Sequence, residues 1–294
     1  MSTECSRRLP PSPPSTSTSC QYNDFAVHGW ACIPNFLSPS ELRVLQSDCS
    51  VLYARESDES ITAKGCVLDV MSNYPMHDLD PSRIELDCYL RARADQLNSN
   101  DAELKTFASL LFEKLPTVAG QMLATTFEKD EPESAMFFFN EHFVVKPPRS
   151  HVEFRWHRDD DEQLAMCVHR KDISPYISAW CALDDVTEAN GALQFVSLNA
   201  LGERMNENVE TLECHASEPV IVKAGDVIFF LSNVWHSSSS NESNGARRAF
   251  YAQYSQEKIT ARPRDSAPLC HAIPCSGSSS TISGNLRMKK IRKC

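Results

Sequence analysis

No apolar run in this chain approaches the ~20 residues that crossing a bilayer core requires. The longest, such as Val227 to Leu231, are far shorter, and no membrane association is expected. The opening residues Met1-Ser2-Thr3-Glu4-Cys5 lack a basic flank leading into an apolar stretch, so no secretory signal is expected. No internal repeat is visible, which argues against a solenoid or propeller. The 12 cysteines show no paired spacing, which argues against a disulfide framework. Cys167 and Cys181 sit in apolar runs where a thiol behaves as a small hydrophobe, and a reducing, cytoplasmic compartment is expected. Cys270, His271 and Cys275 lack the second ligand pair of a structural zinc site. Positive charge is scarce over most of the chain: the total is −10, of which residues 1–20 carry +1, residues 266–294 carry +5 and residues 21–265 carry −16. An acidic body of this kind disfavours nucleic acid and anionic membrane surfaces. The basic tail reads as a solvated terminus.

What is present suffices for one large folded unit, since 41% of the 294 residues are hydrophobic. Residues 1–20, rich in Ser, Thr and Pro, and residues 266–294, Ser-rich and then basic, are expected to be tails. The folded domain is expected over 21–265. Its first half reads helical. Ser38-Pro39-Ser40-Glu41 is a capping box with proline at the first helical position, leading a helix through Leu42 to Tyr53. A second helical region runs from Ala102 to about Phe127, interrupted near Pro116. From Met136 onward β-branched and aromatic residues dominate. Strands are expected over Met136 to Val145, Leu164 to Val168, Tyr176 to Leu183, Ala192 to Val196, Val220 to Val222, Val227 to Leu231 and Ala249 to Tyr254. Helices followed by many short strands predict a mainly β fold, a double-stranded β-helix or cupin-like jelly roll, with N-terminal helices packed on one face.

The residues richest in chemistry are His157 and Asp159 in Arg155-Trp156-His157-Arg158-Asp159, with His236 in Asn233-Val234-Trp235-His236-Ser237-Ser238 downstream. If the first pair sits on a strand, both side chains share one face while Arg158 points away. His236, after the apolar run Val227 to Leu231, would come from a neighbouring strand. Two imidazoles and one carboxylate form a facial set that leaves positions on Fe(II) for a co-substrate and O₂. A chelating 2-oxo acid then needs a cation for its far carboxylate. Arg247 or its neighbour Arg248 can supply that fork. Asp160 is the competing carboxylate, but on a strand it would face the opposite side from His157.

Further segments stand in a fixed order around these residues. Phe25-Ala26-Val27-His28-Gly29-Trp30-Ala31-Cys32-Ile33-Pro34-Asn35-Phe36-Leu37-Ser38 opens the series. Lys146-Pro147-Pro148, Trp156-His157-Arg158-Asp159 and the stretch Ala182 to Leu193, containing Asp184-Asp185 and Asn190-Gly191, follow. Ala224-Gly225-Asp226-Val227, His236-Ser237-Ser238 and Arg247-Arg248-Ala249 close it. In these segments the chain resembles the phytanoyl-CoA dioxygenase family of Fe(II)/2-oxoglutarate oxygenases, from about Asp24 to Ser255. The resemblance implies that His157, Asp159 and His236 bind the iron and are catalytic. It implies that Arg247, at the family's usual spacing after the distal histidine, clamps 2-oxoglutarate. Ser238 would share the same carboxylate, Trp180 would flank the co-substrate, and His142 would contact it. It further implies oxidative decarboxylation of 2-oxoglutarate to succinate and CO₂, coupled to hydroxylation of a small-molecule substrate, with ascorbate supporting activity. Asp159 argues for hydroxylation over halogenation, because related halogenases carry a small residue there.

The chain departs from the family pattern at Phe195-Val196-Ser197-Leu198-Asn199-Ala200, where Pro-Gly-Ser-His is common and where the substrate side of the pocket is usually shaped. The acidic body, and a rim from Arg155 to Glu162 and from Asp184 to Glu188, point away from coenzyme A thioesters. A small or medium-sized metabolite without a CoA moiety is expected. The competing reading is a cupin-like protein that keeps the metal or ligand site without turnover. His169 and His215 read as surface residues, Lys146 as a solvated strand terminus, and Trp156 and Trp235 as packing behind the site.

Overall fold

The computed structural model describes residues 18–70, 86–127, 136–165, 167–201, 208–262 and 269–275. The expected tails fall largely outside these residues. Two exceptions move the boundaries. Helix α1 (Thr18–His28) begins inside the segment 1–20, and residues 269–275 return to the core, where Ile273, Cys275 and His271 are buried.

Helices dominate the first half: after α1 come α2 (Pro39–Tyr53), α3 (Asp58–Ala63), α4 (Leu86–Leu97), α5 (Asp101–Ser109) and α6 (Leu115–Thr126). The capping box forms as expected: Glu41 N–H donates to Ser38 Oγ, and Ser38 N–H donates to the Glu41 carboxylate. Such a cap stabilises a helix by about 1 kcal/mol. The interruption near Pro116 is a π-helical turn over Leu110–Lys114. Pro116 has no N–H to give the carbonyl of Phe112 and its ring would clash there; the wider turn accommodates both faults without breaking the rod. Two short helices occur later, α7 (Asp159–Gln163) and α8 (Val209–His215).

The strands are β1 (Trp30–Ile33), β2 (Val67–Leu68), β3 (Phe137–Lys146), β4 (Phe154–His157), β5 (Ile177–Ala182), β6 (Leu193–Phe195), β7 (Val227–Leu231), β8 (His236–Ser238), β9 (Arg247–Ser255) and β10 (Ile273–Pro274). They form an antiparallel major sheet in the order β1-β7-β5-β9-β3-β10, with β2 also on β3, and a minor sheet β4-β8-β6. This is the mainly β, jelly-roll architecture expected, with no closed barrel among the described residues. Strand alternation sorts the major sheet into two faces. On β9, Phe250 packs on Phe107 of α5 and the Tyr254 hydroxyl donates to Leu111 O, so that face carries the helices. The opposite face of the major sheet meets the minor sheet, as where Phe230 of β7 packs on Phe195 and His236.

Two expected strands do not form as such. Of Leu164 to Val168, Met166 lies outside the described residues and the others form turns rather than a strand: Leu164 and Cys167 pack with Phe139, Tyr176 and Ile259 in a small satellite core, while Val168 is 71% exposed. The segment's described apolar residues serve local packing and have no ladder partner. Val220 to Val222 contributes only isolated bridges, Leu193 with Val220 and Val186 with Val222.

Candidate metal and co-substrate site

The sequence places His157 at the end of β4 and His236 at the start of β8, and the ladder between these strands sets the two residues directly opposite each other. Their rings lie 4.1 Å apart between centroids. Asp159 does not lie on the strand, as the His-x-Asp spacing predicts, but opens α7. The reason is the acidic run itself. Asp159, Asp160, Asp161 and Glu162 fill a first helical turn, where carboxylates meet the positive end of the helix, and Arg158 closes the turn on Asp161 at 2.7 Å. Arg158 itself remains extended, with φ −120 and ψ 139. The alternation therefore persists one residue past the strand, and Asp159 still falls on the same side as His157.

One donor atom from each of His157, Asp159 and His236 lies within 4.8 Å of the others. Both imidazoles are oriented by their own backbone. Nδ1 of His157 is 2.6 Å from Arg155 O, and Nδ1 of His236 is 3.0 Å from Val234 O. A carbonyl only accepts, so Nδ1 carries a proton in each ring, and Nε2 is the atom each ring turns toward the cavity as a candidate ligand. Burial and the neighbouring His157 push the pKa of His236 down to about 4, against the pull of Asp159. His236 is thus neutral at pH 7, and its Nε2 faces Asp159 Oδ1 at 3.6 Å as one acceptor toward another. A cation shared between them satisfies that juxtaposition.

Asp159 is buried, and its Oδ2 accepts three hydrogen bonds: from Ser178 Oγ at 2.7 Å, from the Tyr251 hydroxyl, and from Gln253 Nε2 at 3.2 Å. Oδ1 is left for the cavity. Sequence reasoning missed these three partners. Period-two alternation along β5 and β9 was the available signal, since Ser178 shares parity with Trp180, and Tyr251 and Gln253 share parity with Arg247.

The same alternation separates the two arginines. Arg247 is 1% exposed and lines the cavity, with Cζ 5.3 Å from the Trp180 ring centroid. Its Nη2 donates to Gly191 O at 2.9 Å, while Nη1 is buried without a partner. Burial lowers its pKa to about 10, so it stays charged at pH 7. Arg248 turns to the helix face, where it grips both oxygens of Asp184 at 2.9 and 2.7 Å and reaches Ser50 of α2. The Asn-Gly motif shapes the arginine's seat. Gly191 sits at φ 89, and a Cβ there would lie 2.5 Å from Ser239 O.

The cavity holds about 170 Å³. Its floor is the major sheet, through His142 and Val144 of β3, Trp180 of β5, Phe230 of β7 and Tyr251 of β9; its roof is the minor sheet, through Phe154, His157, Leu193, His236 and Ser238. All seven residues singled out from the sequence, His142, His157, Asp159, Trp180, His236, Ser238 and Arg247, therefore line one cavity. His142 stacks on Tyr251 at 4.7 Å, and burial lowers its pKa to about 4. Lys146 contradicts its expected solvation: it is fully buried, its ammonium 2.8 Å from Ser238 Oγ. The departing stretch after Phe195 turns to the α1–β1 junction, with Ser197 on His28 and Asn199 on Val27 O. Trp156 and Trp235 are absent from the described lining. Near Cys270 and Cys275, His271 stacks on Phe138 and Cys275 is buried, so this segment serves as core.

A phytanoyl-CoA dioxygenase family model matches residues 25–249. No curated sequence matches the chain. Among solved structures, AviO1 from Streptomyces viridochromogenes Tue57 is similar at 20% identity and TM-score 0.54, over 87% of this chain and 100% of that one. The non-heme alpha ketoglutarate dependent carbocyclase SnoK from nogalamycin biosynthesis is similar at 17% and 0.54, over 86% and 90%. The epimerase SnoN, in complex with Fe3+, alpha ketoglutarate and nogalamycin RO, is similar at 16% and 0.53, over 88% and 95%. Likeness at these identities speaks for the fold.

Proposed function

The chain belongs to the phytanoyl-CoA dioxygenase family, whose members use Fe(II), 2-oxoglutarate and O₂, and from that premise we propose that it hydroxylates a small or medium-sized metabolite with release of succinate and CO₂. One observation carries this reading: the three converging donors of His157, Asp159 and His236 share a cavity with a buried guanidinium whose Nη1 has no partner. A neutral-imidazole and carboxylate set suits Fe(II) and leaves open positions. When bound, the iron supplies the redox chemistry, activating O₂ at the expense of 2-oxoglutarate. The protein's part is binding and orientation. His157, Asp159 and His236 hold the metal. Arg247 and Ser238 receive the distal carboxylate of 2-oxoglutarate. Trp180 flanks the co-substrate, and His142, neutral at pH 7, contacts it without adding charge.

The neighbouring carbocyclase and epimerase carry other outcomes on this fold; we assign hydroxylation here on the family's chemistry. The substrate lacks a CoA group. Among the described lining residues Arg247 is the one permanent cation, and Glu162 adds a negative charge, so phosphates have no counter-charge beyond the co-substrate clamp. Nine cysteines among the described residues are free thiols, five of them buried, which fits a reducing, cytoplasmic location. Turnover of 2-oxoglutarate by the wild type and by His157→Ala and Asp159→Ala tests the assignment. Both variants should fold and lose turnover; near-wild-type activity in Asp159→Ala would contradict it. Efficient 2-hydroxylation of phytanoyl-CoA in preference to the free acid would refute the substrate class.

A further inference from the structure

Lys146 is the last residue of β3, and the β3–β9 ladder sets it directly opposite Arg247. Like charges facing each other across a ladder are destabilising. Here both are buried, Lys146 at 0% and Arg247 at 1% exposure. Among the described residues neither forms an ion pair with a carboxylate. The three protons of the Lys146 ammonium instead meet three neutral acceptors: Ser238 Oγ at 2.8 Å, Ser238 O at 3.2 Å and Ser239 O. An ammonium only donates. Whenever Lys146 is charged, Ser238 Oγ therefore accepts from it, which leaves the hydroxyl proton of Ser238 to point elsewhere, and Ser238 lines the cavity beside Arg247. Two buried cations with no anion, one holding a hydroxyl in donor orientation and the other with an unpartnered Nη1, describe a seat for a carboxylate.

We propose that Lys146 is a positioning residue of the co-substrate subsite, turning the Ser238 hydroxyl toward the distal carboxylate of 2-oxoglutarate and supplying, opposite Arg247, the second positive charge that favours a dianionic 2-oxo acid. This rests on the reading that Arg247 and Ser238 receive that carboxylate. The charge state of Lys146 follows the ligand. Burial and the Arg247 charge lower its pKa to about 7, opposed by Cys66 at the turn before β2 and Glu153 before β4; the ring of Phe154 on β4 lies 5.1 Å away and is uncharged. An arriving carboxylate favours the ammonium, so binding takes up protons above neutral pH. Affinity for 2-oxoglutarate should then fall as pH rises from about 7.

Calorimetric titration of 2-oxoglutarate into Mn(II)-loaded protein under argon, in two buffers of different ionisation enthalpy at pH 7.5, reads this directly. The expected result is net proton uptake between zero and one per ligand in the wild type. Lys146→Met should lose that uptake and bind 2-oxoglutarate about 10- to 100-fold more weakly, the scale of hydrogen bonds to charged groups, while Mn(II) affinity stays unchanged. Lys146→Arg should recover part of the affinity. Pyruvate, which has no distal carboxylate, should bind wild type and Lys146→Met alike. Absence of proton uptake in the wild type overturns the proposal even if the variants fail to fold, as does wild-type affinity in Lys146→Met. A wild type that binds Mn(II) but no 2-oxoglutarate sinks the functional reading itself, and this inference with it.

Discussion

The Tyr251 hydroxyl donates to Asp159 Oδ2 although the two residues stand 92 positions apart. Burial, and then the Asp159 charge, hold the phenol well above its ordinary pKa, so it remains a donor at every working pH. With Ser178 and Gln253 it fixes one carboxylate oxygen and leaves the other aimed at His157 and His236. Second-sphere donors of this kind are worth about 10- to 100-fold in metal affinity. Tyr251→Phe should therefore weaken Mn(II) or Fe(II) binding by that factor with an unchanged circular dichroism spectrum. Unaltered metal affinity would show that Ser178 and Gln253 suffice.

Arg247 and Arg248 should separate cleanly. Loss of Arg247 removes a charge-assisted contact worth on the order of 1.5–3 kcal/mol, which should raise the 2-oxoglutarate KM by about 10- to 100-fold. Arg248→Ala breaks the half-buried grip on Asp184 and should lower unfolding stability by about 1 kcal/mol, with KM nearly unchanged. Steady-state titrations alongside urea unfolding check both; the reverse order of effects on KM would move the clamp.

Outside the cavity lining, His271 gives stability a pH dependence. It stacks on Phe138 and meets the Tyr89 ring edge to face, and burial lowers its pKa to about 4. Below its unfolded pKa of about 6.5 the unfolded chain takes up a proton that the folded chain refuses until about pH 4. Stability contributed at neutral pH is thus lost as pH falls through that window. His271→Phe should flatten the urea midpoint between pH 6.5 and 4 relative to wild type, and an equal slope in the variant would assign the acid sensitivity elsewhere.

What the sequence made legible was local or periodic. The Ser38 capping box lies within four residues, and the apolar strands β3, β5, β7 and β9 announce themselves by composition. Of the minor sheet only β6 was legible by composition, within the expected strand Ala192 to Val196; Phe154–His157 and His236–Ser238 are too short to announce themselves and were placed on strands only through the spacing of their histidines. The metal set and the preference for Arg247 came from family spacing, although the strand placement assumed for Asp159 was wrong. Burial of Lys146 could not be read from sequence, since its acceptors are two carbonyls and a hydroxyl on a distant strand and the loop after it.

The central claim is that this cavity couples Fe(II), 2-oxoglutarate and O₂. Its most direct test is purified protein supplied with Fe(II), ascorbate and 2-oxoglutarate under ¹⁸O₂, with succinate read by mass spectrometry. The account predicts succinate carrying one ¹⁸O atom, formed only with Fe(II) present and lost in Asp159→Ala. Metal-replete wild-type protein that binds 2-oxoglutarate yet forms no labelled succinate, with or without a metabolite extract as substrate source, would contradict it.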